Sequence, residues 1–318
     1  MKRLRGNEDG IALLVTLLVL VLIVALANEI FRIGARAAQT GAYGRDSIEC
    51  GLLAEAGTGA ARIALRQDAR ENSYDTLDEF WSRPVPPIEL GNGVINVTVE
   101  DEERKIDLNL LVMPNGIAPD EQRLAIFRRL LDILGIDGAV ADAVVDWLDA
   151  DDSPRVGGAE TAYYQGLPYP YSAKNDLFDT VDELRLVKGV TGEVFEKLRP
   201  FVTVFSSAKV NINTAPKEVI MALSAGSIAG AGEIGPAEAD QLIAYRRDHP
   251  FRSVSDIKNV SPFFADLYGK TLLQNYIDVR STVFHVRSIG TVAGTARTVD
   301  AIGLRSGNEI QWRFWRLE

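Results

Sequence analysis

The chain is poor in the residues that build disulfides and common metal centres: one cysteine, Cys50, and two histidines, His249 and His285, in 318 residues. A single cysteine excludes an intrachain disulfide and leaves no partner for a Cys-X-X-Cys zinc pattern. Neither histidine has a nucleophile and a carboxylate near it in sequence, so no nucleophilic or hydrolytic constellation is visible. Basic charge is also short: 34 Lys and Arg against 44 Asp and Glu give a net charge of −10. That balance opposes broad adhesion to nucleic acid or anionic lipid. Proline is absent before Pro84, which leaves a long N-terminal stretch free to be helical. With 47% hydrophobic and 25% charged residues the rest is ordinary for a folded protein.

What is present begins at the N-terminus. MKRLRGNEDG, with Lys2, Arg3 and Arg5, precedes seventeen uncharged residues from Ile11 to Ala27. At 1.5 Å per residue this run spans about 26 Å, near the lower limit for crossing a bilayer. The basic head stays cytoplasmic by the positive-inside rule, which sends the bulk of the chain to the other side. Two readings compete. Ala25 and Ala27 fit a secretory cleavage site after the run. Gly10, at the junction of the polar leader and the run, instead resembles the type IV prepilin leader. In that case prepilin peptidase cuts between Gly10 and Ile11 and the apolar segment remains, with Ile11 as an N-methylated first residue. The continuation favours this second reading. Ile30, Ile33, Ala37, Gly41, Gly44, Ile48, Leu52, Ala56, Gly59 and Ile63 recur at steps of three and four. A helix from Ile11 to Leu65 is the spine of a pilin, with local fraying expected at its glycines, each costing up to about 1 kcal/mol.

Residues 94–110 read as two alternating strands around an acidic turn at 100–103. From Pro119 to Gln274 the pattern turns helical and repeats itself. IDGAVADAVVDWLDADD (136–152) is similar to IGPAEADQLIAYRRDHP (234–250), and FDTVDELRLVKGV (178–190) to FRSVSDIKNV (251–260). The second unit, with INTAP at 212–216, resembles helix-hairpin-helix or SAM-like modules, some of which bind DNA backbones. Arg246, Arg247, Arg252 and Lys258 would serve that purpose. The charge count argues against it: residues 209–276 carry seven basic and seven acidic residues, and residues 117–200 carry nine against sixteen. A membrane-anchored DNA-binding protein is thus the alternative reading, and no nucleic-acid partner is expected.

The first unit is interrupted by an acidic loop. Asp142, Asp146, Asp149, Asp151, Asp152 and Glu160 crowd around a single base, Arg155, and Lys174-Asn175-Asp176 makes a second polar turn. Oxygen-rich clusters on glycine-bearing turns suit calcium, and without Cys or His the stretch does not suit zinc. The spacing is not an EF-hand, because Pro154 stands where the loop glycine belongs. A solvated acidic loop with helix-capping aspartates is the other reading. Calcium is preferred because crowded carboxylates repel and a loop bearing Tyr163, Tyr164, Tyr169 and Tyr171 needs something to hold it.

Together the glycine-ended leader, Val15 where pilin-like chains carry glutamate, DWLDADDSP at 146–154, GAETAYY at 158–164 and INTAP resemble the minor pseudopilin K family of type II secretion. The resemblance implies an α+β fold: a pilin-like long N-terminal helix on an antiparallel sheet, with a large inserted helical domain of two SAM-like units. The implied divisions are a leader at 1–10, a transmembrane and spine helix at 11–66 and a first sheet region at 67–112. The insertion then occupies 113–276 and the C-terminal strands 277–318. Residues Ile310, Trp312 and Phe314 are expected on one face of those strands, against the spine. The resemblance further implies calcium, carried by position to Asp149, Asp151, Asp152, Glu160, Asn175 and Asp176. It implies a place in the bacterial inner membrane, single-pass, with most of the chain in the periplasm. The implied partners are prepilin peptidase, minor pseudopilins I and J, and other pseudopilins and inner-membrane secretion components. Val15 becomes a tip-specific position, since a subunit without the glutamate cannot use it to dock beneath a predecessor. No enzymatic role is expected: Gly269-Lys270-Thr271 is no phosphate loop, because Phe264 replaces its upstream glycine.

Overall fold

Residues Glu8–Glu71 form one continuous helix, α1, of 64 residues, about 96 Å long at 1.5 Å per residue. The computed structural model describes residues 8–224, 232–270 and 273–318; the first seven leader residues and Thr271 lie outside them. From Ile11 on, α1 is long and apolar enough to cross a membrane, and its apolar stretch is not covered by any of the described residues. It extends past the expected end at Leu65, and the fraying expected at its glycines is not seen. One reason is that Gly57 is used in packing. A side chain there would overlap Ser288, Ile95 and Val97 of the sheet beneath, so the glycine lets helix and sheet approach closely.

Nine strands follow among the described residues: β1 (Ile88–Leu90), β2 (Gly93–Asp101), β3 (Ile106–Asp107), β4 (Val202–Thr203), β5 (Val210–Asn211), β6 (Ile277–Asp278), β7 (Val283–Val292), β8 (Thr295–Ser306) and β9 (Glu309–Leu317). Five make one antiparallel sheet in the order β1-β2-β7-β8-β9. Gly294 and Gly307, both at positive φ, close the β7–β8 and β8–β9 turns. The spine covers one face of this sheet. Cys50 and Leu53 pack on Ile95 and Val292, Ala54 on Val299 and Ala301, and Ala61 and Leu65 on Trp81, Phe284, Val286 and Ile310. Alternating small and branched residues thus build a two-layer core.

The register fixes where the rest of the chain must go. Asp101 pairs with Phe284, and Phe284 packs near Leu65, so β2 ends and β7 begins at the C-terminal end of α1. All that lies between Asp101 and Val283 is inserted there. It has its own core and comprises α2 (Glu121–Ile133), α3 (Ala139–Leu148), α4 (Thr161–Gln165), α5 (Gly192–Leu198), α6 (Lys217–Ala222), α7 (Pro236–Asp248) and α8 (Pro262–Lys270). The sequence repeat is real in local structure. Thr180 with Glu183, and Ser253 with Asp256, form the same capping box on the same kind of 3₁₀ turn (Val181–Leu186 and Val254–Asn259). Long N-terminal helix, antiparallel sheet and inserted helical region are the architecture that the sequence predicts.

Two local expectations fail. The second strand of 94–110 does not pair with the first: β3 pairs in parallel with β4 inside the insertion. The intervening turn is a 3₁₀ segment whose Glu102 and Glu103 are buried, not a solvated hairpin tip. Phe314 does not share a face with Ile310 and Trp312. A bulge between the Ile302 and Gly303 pairings inserts Arg313 and reverses the alternation. Trp312 therefore faces α1 and touches Trp315, while Phe314 meets Phe205 of the insertion on the opposite face.

Candidate metal centre

Helix α3 delivers Asp149 as its C-terminal cap, with Ala150 N–H bonded to the Gly116 carbonyl 2.8 Å away. The loop then turns back over the helix that launched it. Asp146 accepts from the Arg155 N–H at 3.0 Å, and Asp142 accepts from Gly157 N–H at 3.2 Å and from Arg128 at 2.7 Å. Gly158 is needed here, since any side chain would overlap the Asp146 carboxylate. Lys188 closes the loop from outside by donating to the Gly157 and Gly158 carbonyls at 3.3 and 2.8 Å. Asp142 and Asp146 are thus spent on shaping the loop.

The fold returns Glu160 to Asp149 at the start of α4. Asp149, Asp151 and Glu160 offer carboxylate oxygens that all lie within 4.8 Å of one another. Asp149 and Glu160 are only 4% and 3% exposed. Despite that, Asp149 Oδ1 and both Glu160 oxygens have no hydrogen-bond partner. Asn175, held at φ 49°, donates from Nδ2 to the Asp151 carbonyl at 3.1 Å and to Asp152 Oδ1 at 3.3 Å, and its buried Oδ1 has no partner. Burial, then the charges of Asp146, Asp149, Asp152 and Asp151, push Glu160 up to about 8. Burial, then Asp151 and Asp146, push Asp149 up to about 6. Four unpartnered buried oxygens around crowded carboxylates are costly without a cation. The donor set is all oxygen, which fits a hard ion such as calcium.

Of the six residues assigned to this site from sequence, the fold gathers Asp149, Asp151 and Glu160, and turns Asn175 in beside them. Asp152 is tied to Asn175, and Asp176 accepts from Leu177 N–H at 2.7 Å outside the group. The tyrosines divide as well: Tyr164 and Tyr171 stack 5.1 Å apart beside Trp147, whereas Tyr169 is exposed.

Two other groups have ligand-like spacing, Asp68-Asp75-Glu79 and Glu100-Glu102-His285. Each already holds a protein cation. Arg305 donates to Asp68 at 2.8 Å and to Asp75 at 2.8 Å, and Lys105 to Glu102 at 2.9 Å and Glu100 at 3.2 Å. The same end of the sheet carries a buried polar junction that the sequence reading missed. Asp101 accepts from Thr214 and Ser281 hydroxyls at 2.5 and 2.6 Å, and Glu103 accepts from Ser207 and Thr282 N–H, both at 2.7 Å. The INTAP segment is half of this junction: Thr214 binds Asp101 directly, and Asn213 exchanges hydrogen bonds with the Phe251 backbone at 2.8 and 3.0 Å. The signal was legible as acidic residues adjoining strands, but burial was not.

The DNA-binding alternative loses one of its four basic residues to the interior. Arg246 points inward and donates to the Ile212 and Ala215 carbonyls at 2.5 and 2.8 Å. Arg252 and Lys258 lie over the Tyr74 and Tyr268 rings.

Family models for type II secretion system protein K match residues 104–207 and 210–280. A type II secretion system protein K of Pseudomonas aeruginosa is 32% identical over 269 residues, covering 80% of this chain and 77% of the relative. The chain belongs to the type II secretion system protein K family. An Aeromonas hydrophila member of the family is 29% identical over 317 residues, covering 94% and 93%. The solved GspK-GspI-GspJ complex from the enterotoxigenic Escherichia coli Type 2 Secretion System contains a chain of the same fold. It superposes with a TM-score of 0.72 at 20% identity, over 89% of this chain and 99% of that one.

Proposed function

We propose that this chain is the minor pseudopilin at the tip of the type II secretion pseudopilus, priming assembly with minor pseudopilins I and J for protein export from the periplasm. The observation that carries this is the position of the insertion. It sits beyond the distal end of α1, where a further pilin-like subunit would have to stack, and it leaves the membrane-proximal helix bare for neighbours below. Val15 agrees: it lies in the exposed apolar stretch and brings no carboxylate to a preceding subunit. Partnership with I and J is supported by the likeness to the GspK-GspI-GspJ complex. Its place is the bacterial inner membrane as a single-pass protein, with prepilin peptidase cutting between Gly10 and Ile11 and Ile11 becoming N-methylated. The role is structural rather than enzymatic.

In the same reading Asp149, Asp151, Glu160 and Asn175 hold calcium, which neutralises the crowded carboxylates and fixes the loop against α3. The ion supplies charge compensation, and the chain's own contribution is the shape of the loop.

The test is the mature N-terminus together with incorporation. A chain extracted from membranes of cells with active prepilin peptidase is expected to begin at Ile11 and to co-purify with I and J. Val15→Glu is expected to fold normally but to lose its restriction to the tip. An N-terminus near Asn28, or unchanged tip placement of Val15→Glu, contradicts the reading.

A further inference from the structure

The two edges of the main sheet are built differently. β1 is a three-residue strand entered through Pro84, Pro86 and Pro87, which carry no N–H, so this edge is blunt. At the other edge, β9 runs nine residues. Glu318 and Thr298 exchange N–H···O bonds of 2.9 and 3.0 Å. In an antiparallel pair such residues alternate with ones that turn their N–H and C=O away. Leu317 and Trp315, opposite Val299 and Ala301, are the latter. β9 is the last strand of the sheet, so these outward backbone groups meet no further strand among the described residues. The bulge at Arg313 ends this open stretch, leaving residues 314–318.

The side chains here are as incomplete as the backbone. Trp315 and Leu317 are on the face that α1 covers elsewhere, yet they are 42% and 48% exposed. The helix meets Leu317 at Gly51, whose β-carbon position is 3.7 Å away, and Ile48 one turn earlier is exposed too. The charges of β9 are also unevenly answered. Glu309 pairs with Arg66 and Arg316 with Glu318, but no carboxylate pairs with Arg313 among the described residues.

We infer that β9 is a docking edge that accepts a β-strand from a different protein chain, extending the sheet past 314–318. The incoming strand alternates, with apolar side chains on the α1 face covering Trp315 and Leu317, and carries a carboxylate that reaches Arg313. A second copy of this chain fits poorly, because two β9 strands would bring Arg313 and Arg316 of both together. The inference stands apart from the tip assignment and from calcium, since it rests only on the sheet edge.

A photo-crosslinking residue replacing Arg313 in the full chain, in membranes of cells carrying the secretion machinery, reads the neighbour directly. The expected product joins position 313 to a strand of another protein, located by mass spectrometry of the crosslinked peptide. Adding Leu317→Pro removes an outward N–H that the chain's own sheet does not use. It is expected to lower the yield about tenfold, the worth of one to two hydrogen bonds, with the melting temperature of the detergent-solubilised chain unchanged. If that variant melts early, Trp315→Ser carries the test, since it keeps every backbone group and removes apolar cover; it is expected to lower the yield as well. A crosslink to a second copy, a crosslink only to a helix, no crosslink, or a yield indifferent to these variants would overturn the inference.

Discussion

Two regions of this molecule crowd carboxylates, and they solve the problem in opposite ways. At the junction between sheet and insertion, Asp68, Asp75, Asp101 and Glu103 are buried or nearly so. Each is answered by the chain itself, through the Arg305 guanidinium or through N–H and O–H donors at 2.5–2.8 Å. In the acidic loop Asp149 and Glu160 are as deeply buried, yet three of their four oxygens have no donor. The difference is that an internal cation is covalently present at the junction, whereas the cations near the loop are spent elsewhere, Arg128 and Arg155 on Asp142 and Lys188 on the Gly157 and Gly158 carbonyls. Crowded acid marks an ion site where the protein's own donors run out, not where acid is densest.

Removing the internal cation is the sharpest way to break the comparison. Arg305→Met leaves Asp68 and Asp75 buried without their partner and is expected to cost about 3–5 kcal/mol of stability. Thermal unfolding measures it, and Asp75→Asn in the same chain should recover part of the loss. Equal stability of Arg305→Met and the parent would mean that the junction is not held by this charge. Calcium should do for the loop what Arg305 does for the junction. At a hundredfold excess over its dissociation constant it is expected to stabilise by about 2.7 kcal/mol. Chelator should reverse the gain, and Glu160→Gln should abolish most of it. A melting temperature indifferent to calcium and chelator removes the ion from this account.

How much of this the sequence disclosed follows the range of each interaction. The spine, the repeat and the C-terminal strands were legible because helical spacing, segment similarity and strand alternation act within a few residues. Asp149, Asp151 and Glu160 were legible as a group because the loop that joins them is short. Arg305 with Asp75 was not, because 230 residues separate them and neither has a local signature. Phe314 was misplaced for a subtler reason. Alternation correctly gave a strand, but a bulge adds one residue with no mark in composition and reverses every side chain beyond it.

Proton competition sharpens the loop side of the comparison. Glu160 is raised to about 8 and Asp149 to about 6, burial being the first cause for both. A raised carboxylate binds protons more tightly folded than unfolded, so the ion-free loop gains stability as pH falls and loses it as pH rises through about 8. Calcium needs the ionised form, so its affinity should move the other way, rising between about pH 6 and pH 8. Calorimetric titration across that window checks the sign, and an affinity that falls with pH would exclude Glu160 as a ligand.

The smallest effect separates residues that sequence alone grouped together. Asp152 reaches Asn175 rather than the carboxylate group, and Asp176 caps the Leu177 N–H. Asp152→Asn and Asp176→Asn each remove a charge near the site without removing one of its unpartnered oxygens. Asp152 and Asp176 are both exposed, and a solvent-screened charge of this kind is worth about 1 kcal/mol or less, so each should weaken calcium by less than about fivefold. Glu160→Gln, which alters two oxygens inside the group, should weaken it far more. Titrating the three variants side by side ranks them. If Asp152→Asn matches Glu160→Gln, the ion lies nearer the Asn175 turn than the gathered carboxylates place it.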